Sequence, residues 1–196
     1  MLFLFGCSNK NNKYKAWNET YWGMPEHELL SFISTNNQSS QINKSECSKD
    51  YLKNQKLDSC SFISLKNYSI GNQHYTISFR LNNNHLSFIN LNHDESSDIL
   101  GQNHSRDIDT ILNQQEQMKE VGWAASLELY KLLNKKYGKP TTEDISKGDS
   151  LKFKAIWNTE YTIIELKNPG ILPRLTYKPN NEKIYLETIP NDVGKI

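Results

Sequence analysis

Tyr75-Thr76-Ile77-Ser78-Phe79-Arg80-Leu81 decides the fold. Tyr75, Ile77, Phe79 and Leu81 alternate with polar residues, the period of a strand with one buried face. Asn82-Asn83-Asn84 follows, a residue type that tolerates the left-handed conformation of tight turns. Leu86-Ser87-Phe88-Ile89-Asn90-Leu91 then reads as the returning strand of a β-hairpin. Residues 62–68 supply a strand before it, which makes a three-stranded meander. A second set lies downstream at 151–157, 161–166 and 172–177, with turns at Asn158-Thr159 and Pro169-Gly170.

Helical signals precede each set. Pro25, Glu26 and Glu28 suit a helix start, and Leu29, Leu30, Phe32 and Ile33 follow as the apolar side of a short amphipathic helix. A longer one is expected over 108–137, with Asp107 as its cap. Ile108, Ile111, Leu112, Met118, Val121, Ala125, Leu129, Leu132 and Leu133 keep helical spacing. Gly138 and Pro140 end it, and Gly122 inside it marks a kink or a point of close packing. Trp123, Leu127 and Tyr130 add a second apolar stripe, expected to pack between the halves. The fold class is therefore α+β, antiparallel β-meanders with one short and one long helix. Ser64-Leu65-Lys66 matches Ser150-Leu151-Lys152, and Tyr75-Thr76-Ile77 matches Tyr161-Thr162-Ile163. A duplicated αβββ unit, with halves 21–105 and 106–196, and two unrelated meanders both account for this. Residues 35–58 read as loop, and 183–189 as one more strand.

The chain has 196 residues, enough for one domain with a hydrophobic core. Hydrophobic residues make up 36%, aromatics 11%, and mean hydropathy is −0.72. Lys+Arg number 23 against 22 Asp+Glu, a net +1, and no long basic run exists. The densest stretch, 44–56, mixes Lys with Glu46 and Asp50, so nucleic acid is not an expected partner. No span of about 20 apolar residues is present for a transmembrane helix.

Met1-Leu2-Phe3-Leu4-Phe5-Gly6-Cys7 ends an apolar run at Cys, and an abruptly polar tract follows. Leu4-Phe5-Gly6-Cys7 resembles the lipobox of bacterial lipoproteins. The resemblance implies lipidation (palmitate) at Cys7, a residual signal peptide over 1–7, a flexible tether over 8–20 and a single domain over 21–196. No Lys or Arg precedes Cys7, so the basic region of a signal peptide is expected upstream. Ser8 resembles an outer-membrane sorting residue, which implies a periplasm-facing lipid anchor in the outer membrane. With Cys7 lipidated, Cys47 and Cys60 remain as an even pair, and a disulfide between them is expected in an oxidising compartment.

Trp22-Gly23-Met24-Pro25, Lys136-Tyr137-Gly138-Lys139-Pro140, and Trp157 with Thr162-Ile163-Ile164-Glu165-Leu166 and Tyr177 occur in that order. This set resembles small bacterial envelope lipoproteins sharing a WGM…KYGxP…W…Y pattern. It implies an architecture and brings no catalytic residue. No nucleophile elbow, zinc-protease helix, P-loop or dinucleotide fingerprint occurs. His93-Asp94-Glu95 with His104, Asp107 and Asp109 is the one His/acid cluster, in a polar loop, and His74 and His85 stand apart on the hairpin. Glu26 and Glu28 stand at i and i+2, which do not face each other on a helix. No catalytic, metal or cofactor site is assigned. The expected role is a non-enzymatic protein-binding module of the envelope, one form being an immunity protein that neutralises a periplasmic toxin. The alternatives are an outer-membrane assembly or maintenance factor, a small-ligand carrier, or a hydrolase.

Overall fold

A computed structural model describes residues 14–36, 41–94, 108–147 and 151–181. Among the described residues three helices, α1 (Glu26–Asn36), α2 (Lys49–Gln55) and α3 (Ile108–Tyr137), accompany eight strands. These are β1 (Ile42–Glu46), β2 (Cys60–Ile70), β3 (Gln73–Asn82), β4 (His85–His93), β5 (Thr142–Lys147), β6 (Leu151–Asn158), β7 (Thr162–Asn168) and β8 (Arg174–Pro179). They form one sheet in the order β1-β2-β3-β4-β8-β7-β6-β5, antiparallel at every junction.

The order is its own mirror. Each half is a four-stranded meander, and the last strand of each, β4 and β8, meet at the centre, with Ile89 opposite Tyr177 and Leu91 opposite Leu175. The fold class is α+β with β-meanders, as the alternation predicts. Each half nevertheless has one more strand than the apolar pattern marks. β1 reads Ile-Asn-Lys-Ser-Glu with all five residues exposed, and β5 reads Thr-Glu-Asp-Ile-Ser-Lys. These are the two sheet edges, where charge discourages pairing with another chain, so neither carries an alternating apolar face. α2 also lies in the expected loop. It buries no residue, and is capped by Ser48, whose side chain accepts from the Tyr51 N–H.

The Tyr-Thr-Ile match falls at corresponding strands, β3 and β7, but not in phase. Tyr75 and Ile77 of β3 are buried, whereas in Tyr161-Thr162-Ile163 it is Thr162 that is buried. The repeat is one of topology, and the Tyr-Thr-Ile match does not carry it.

The core lies on one side of the sheet. Leu29 and Ile33 of α1 and Met118, Ala125, Leu129 and Leu133 of α3 are buried there, with Tyr75, Ile77, Phe79, Ile89, Leu91, Ile164, Leu166 and Leu175 from the strands. The second stripe of α3 packs on β6. The Trp123 ring meets Phe153 edge-on at 5.3 Å, and Tyr130 reaches both Phe153 and Trp157. Gly122 is a point of close packing. A Cβ built there would stand 1.6 Å from the Ile171 carbonyl oxygen in the β7–β8 turn. Beside it the Ser126 hydroxyl donates to Gly122 O, and Asn168 Nδ2 donates to Ser126 Oγ.

Residues 14–20, expected as the end of a flexible tether, belong to the domain. Ala16, Trp17 and Thr20 are buried, and Trp17 meets Tyr68 and Phe79. Their Asn and Lys neighbours hide this apolar content. Trp22-Gly23-Met24-Pro25 then runs beside the start of β4: Gly23 N–H donates to Leu86 O, and Leu86 N–H to Met24 O. Gly23, at φ +79°, makes the turn that an L side chain resists. The helix exit is equally structural. Gly138 (φ +79°) donates its N–H to Asn134 O, and the Trp157 indole donates to Gly138 O.

Candidate interaction surface

Cys7 and the rest of 1–13 lie outside the described residues, as do 95–107 and 182–196, which contain Glu95, His104, Asp107 and the expected strand at 183–189. Cys47 and Cys60 form a disulfide, Cα–Cα 5.3 Å, that closes the loop bearing α2. In the chain-entropy account a loop of this length contributes about 3 kcal/mol.

Of the His/acid residues, the two that are described, His93 and Asp94, turn to different partners. His93 is buried, its Nε2 within 2.7 Å of Gln73 Oε1 and its ring edge-on to Tyr75. Asp94 instead accepts from the Thr76 hydroxyl and the Asn67 N–H. Among the described residues no group of three or more His, Cys, Asp or Glu could hold a metal ion. His74 and His85 sit at the two ends of the β3–β4 hairpin, each hydrogen-bonded to a near neighbour, Ser69 and the Asn83 carbonyl. Glu26 pairs with Lys44, and Glu28 accepts from the Tyr21 hydroxyl at 2.7 Å. Burial, then this bond, raises the Tyr21 pKa.

On the helical side, a groove runs between α1 and α3. One part, of about 450 Å³, is lined by Trp17, Phe32 and Tyr68; another, of about 180 Å³, lies over Leu91, Leu129 and Tyr177. Tyr177 is buried, and that burial, then Tyr137, holds its hydroxyl neutral well above the ordinary tyrosine range. The polar rim, Asn18, Glu19, Asn36 and Lys136, sets no nucleophile against a general base.

The other side of the sheet is different. Among the described residues only α2 lies on it. Strand alternation places Phe62, Arg80 and Phe88 there, in register on three neighbouring strands. The Arg80 guanidinium lies 4.8 Å from the Phe88 ring centre and donates to the Tyr51 hydroxyl of α2 at 2.7 Å. All four side chains stay partly exposed. Toward the middle, Ser64, Ser78, Asn90 and Thr176 form a row of small polar residues. Beyond them Lys154, Lys167 and Arg174 stand exposed on β6, β7 and β8. These three cations never form a basic run, because they are scattered along the chain and only strand pairing collects them. Their signal in the sequence is a charged residue at the outward positions of each strand, which becomes a cluster once the register is known.

The architecture is that of an α+β domain with a mirror-ordered antiparallel sheet, its two core helices on one face. Comparisons with protein-family models, with curated proteins and with solved structures found no match to this chain.

Proposed function

We propose that the chain is a lipid-anchored, periplasm-facing, non-enzymatic protein-binding module of the bacterial envelope, held through Cys7 and docking its partner on the face of the sheet opposite α1 and α3. The observation that carries the binding part is the Tyr51–Phe62–Arg80–Phe88 cluster on that face. Arg and aromatic residues dominate the energetics of protein interfaces, because they bury large area with little entropy loss. Here Arg80 is held in place by Tyr51 and Ser87 and so loses less freedom on binding. The lipobox residues Leu4-Phe5-Gly6-Cys7 support the anchor. Neutralisation of a toxin delivered to the periplasm fits a module that works by covering a surface. An assembly or maintenance factor would use the same face.

Two measurements test this. Cys7→Ser should release the chain from membranes and abolish palmitate labelling; unchanged fractionation sinks the anchor. A photocrosslinking side chain at Thr176 or Ile156, on the face opposite α1 and α3, should trap a discrete protein in cells. The same group at Leu132, on α3, should not. Equal trapping at all three positions, or none, defeats the binding surface.

A further inference from the structure

On the face of the sheet opposite α1 and α3 the register sets like charges against each other. Arg174 of β8 is directly opposite Lys167 of β7, and Lys167 is directly opposite Lys154 of β6. All three are exposed, and so is Lys152, two residues before Lys154 on the same face of β6. Strands are spaced roughly 4.8 Å apart, so three cations fall within about 10 Å. Like charges directly opposite destabilise a sheet. The compensation is partial. Glu165 lies 2.7 Å from the Lys167 ammonium, and Asp144 is opposite Lys154. Asn92, a neutral residue, is opposite Arg174. The chain as a whole carries only +1, so this concentration of positive charge is a local feature that folding alone disfavours.

Resting on the binding reading above, we propose that this row is an anchor for the acidic surface of a protein partner, with Lys154, Lys167 and Arg174 meeting its carboxylates. A folded protein suits the face better than a lipid surface does. Strands in a sheet rotate by about 20° from one to the next, so an eight-stranded sheet presents a saddle to which a planar bilayer is a poor match. The neighbouring aromatic rings are engaged with Arg80 and not stacked free for bases, which weighs against a single-stranded nucleic acid.

The full chain, purified in detergent, is titrated with poly-glutamate, with phosphatidylglycerol vesicles and with a single-stranded oligonucleotide. The double variant Lys154→Gln/Arg174→Gln removes both neighbours of Lys167 and leaves the Lys167–Glu165 pair intact. Poly-glutamate affinity should fall about tenfold, the loss of two exposed charge contacts, and weaken with added salt. Lys131→Gln/Lys135→Gln on the exposed side of α3 should change it by less than about twofold. The melting temperature of the sheet variant should stay level or rise, because a repulsion is removed; a merely structural role predicts the reverse. Equal losses in both variants, or tighter binding to the vesicles or the oligonucleotide than to poly-glutamate at one salt concentration, overturn the proposal. The crosslink at Thr176 separates the two readings. An adduct that survives Lys154→Gln/Arg174→Gln undiminished defeats the acidic partner and keeps the binding surface, whereas no adduct in either form defeats the surface itself.

Discussion

Gly122→Ala is expected to destabilise the domain by about 2 kcal/mol, although it replaces glycine by the best helix former in the middle of a helix. Two effects compete. Helix propensity favours alanine by about 1 kcal/mol. Against it, the new methyl would fall 1.6 Å from the Ile171 carbonyl oxygen and 2.7 Å from its carbon. Those are backbone atoms, so no side-chain rotation relieves the clash. The β7–β8 turn must retreat, and with it go Asn168 and its bond to Ser126. Overpacking of this kind costs about 3 kcal/mol, so the steric effect wins. The melting temperature should fall by about 4–8 °C for a domain of this size. Ala124→Gly, two residues along on the exposed side of α3, supplies the propensity baseline and should lose only about 1 kcal/mol. A Gly122→Ala protein as stable as the parent would show that the turn does not seat on the helix.

That glycine illustrates what the residues alone can and cannot disclose. Its position in an otherwise periodic helix marks a contact, but not which turn makes the contact. The inner elements are legible for a common reason: each carries an apolar face, alternating in β3 and helical in α3. β1, β5 and α2 have none, because they occupy edges and solvent, and hydrophobic periodicity is silent there. The second apolar stripe of α3 reads as core and packs against it, partly buried, because Trp123 and Tyr130 have β6 to cover. Trp17 is lost among Asn and Lys, although its own size argues for burial.

The candidate surface is less legible than the fold. Phe88 and Arg80 look like ordinary outward residues until the register aligns them with Phe62. Tyr51 joins them only because the Cys47–Cys60 bond and a capped turn hold α2 over the sheet. Lys154, Lys167 and Arg174 belong to three strands separated by turns, and a short window moving along the chain never contains all three. Surfaces built from strand faces are invisible to local charge counting for this reason. Surfaces built on one helix are not.

Trp22→Ala should cost more than Gly122→Ala, about 3–5 kcal/mol for the lost packing of a buried tryptophan. Trp22 is fully buried. Its backbone N–H donates to Tyr14 O, and its indole N–H donates to Thr162 Oγ1 at 2.9 Å and Tyr161 O at 3.1 Å. The next residues bond to Leu86 of β4, so one short segment clasps a strand from each half. Thr162 completes the clasp by donating its hydroxyl to Lys15 O at 2.7 Å. Trp22→Phe separates the contributions. It keeps most of the apolar volume and removes the indole donor, while Thr162 retains its bond to Lys15, so no buried hydroxyl is orphaned. Its cost should be nearer 1–2 kcal/mol, about that of one hydrogen bond and a small void. Urea denaturation of both variants, with Thr162→Val to close a double-mutant cycle, measures the clasp directly, since residues in one hydrogen-bond network couple by about 0.5–3 kcal/mol. Additive losses would mean that the indole and the threonine act separately. Coupled losses would place the joint between the halves at the segment by which, in the anchored reading, the chain leaves Cys7 and enters its domain.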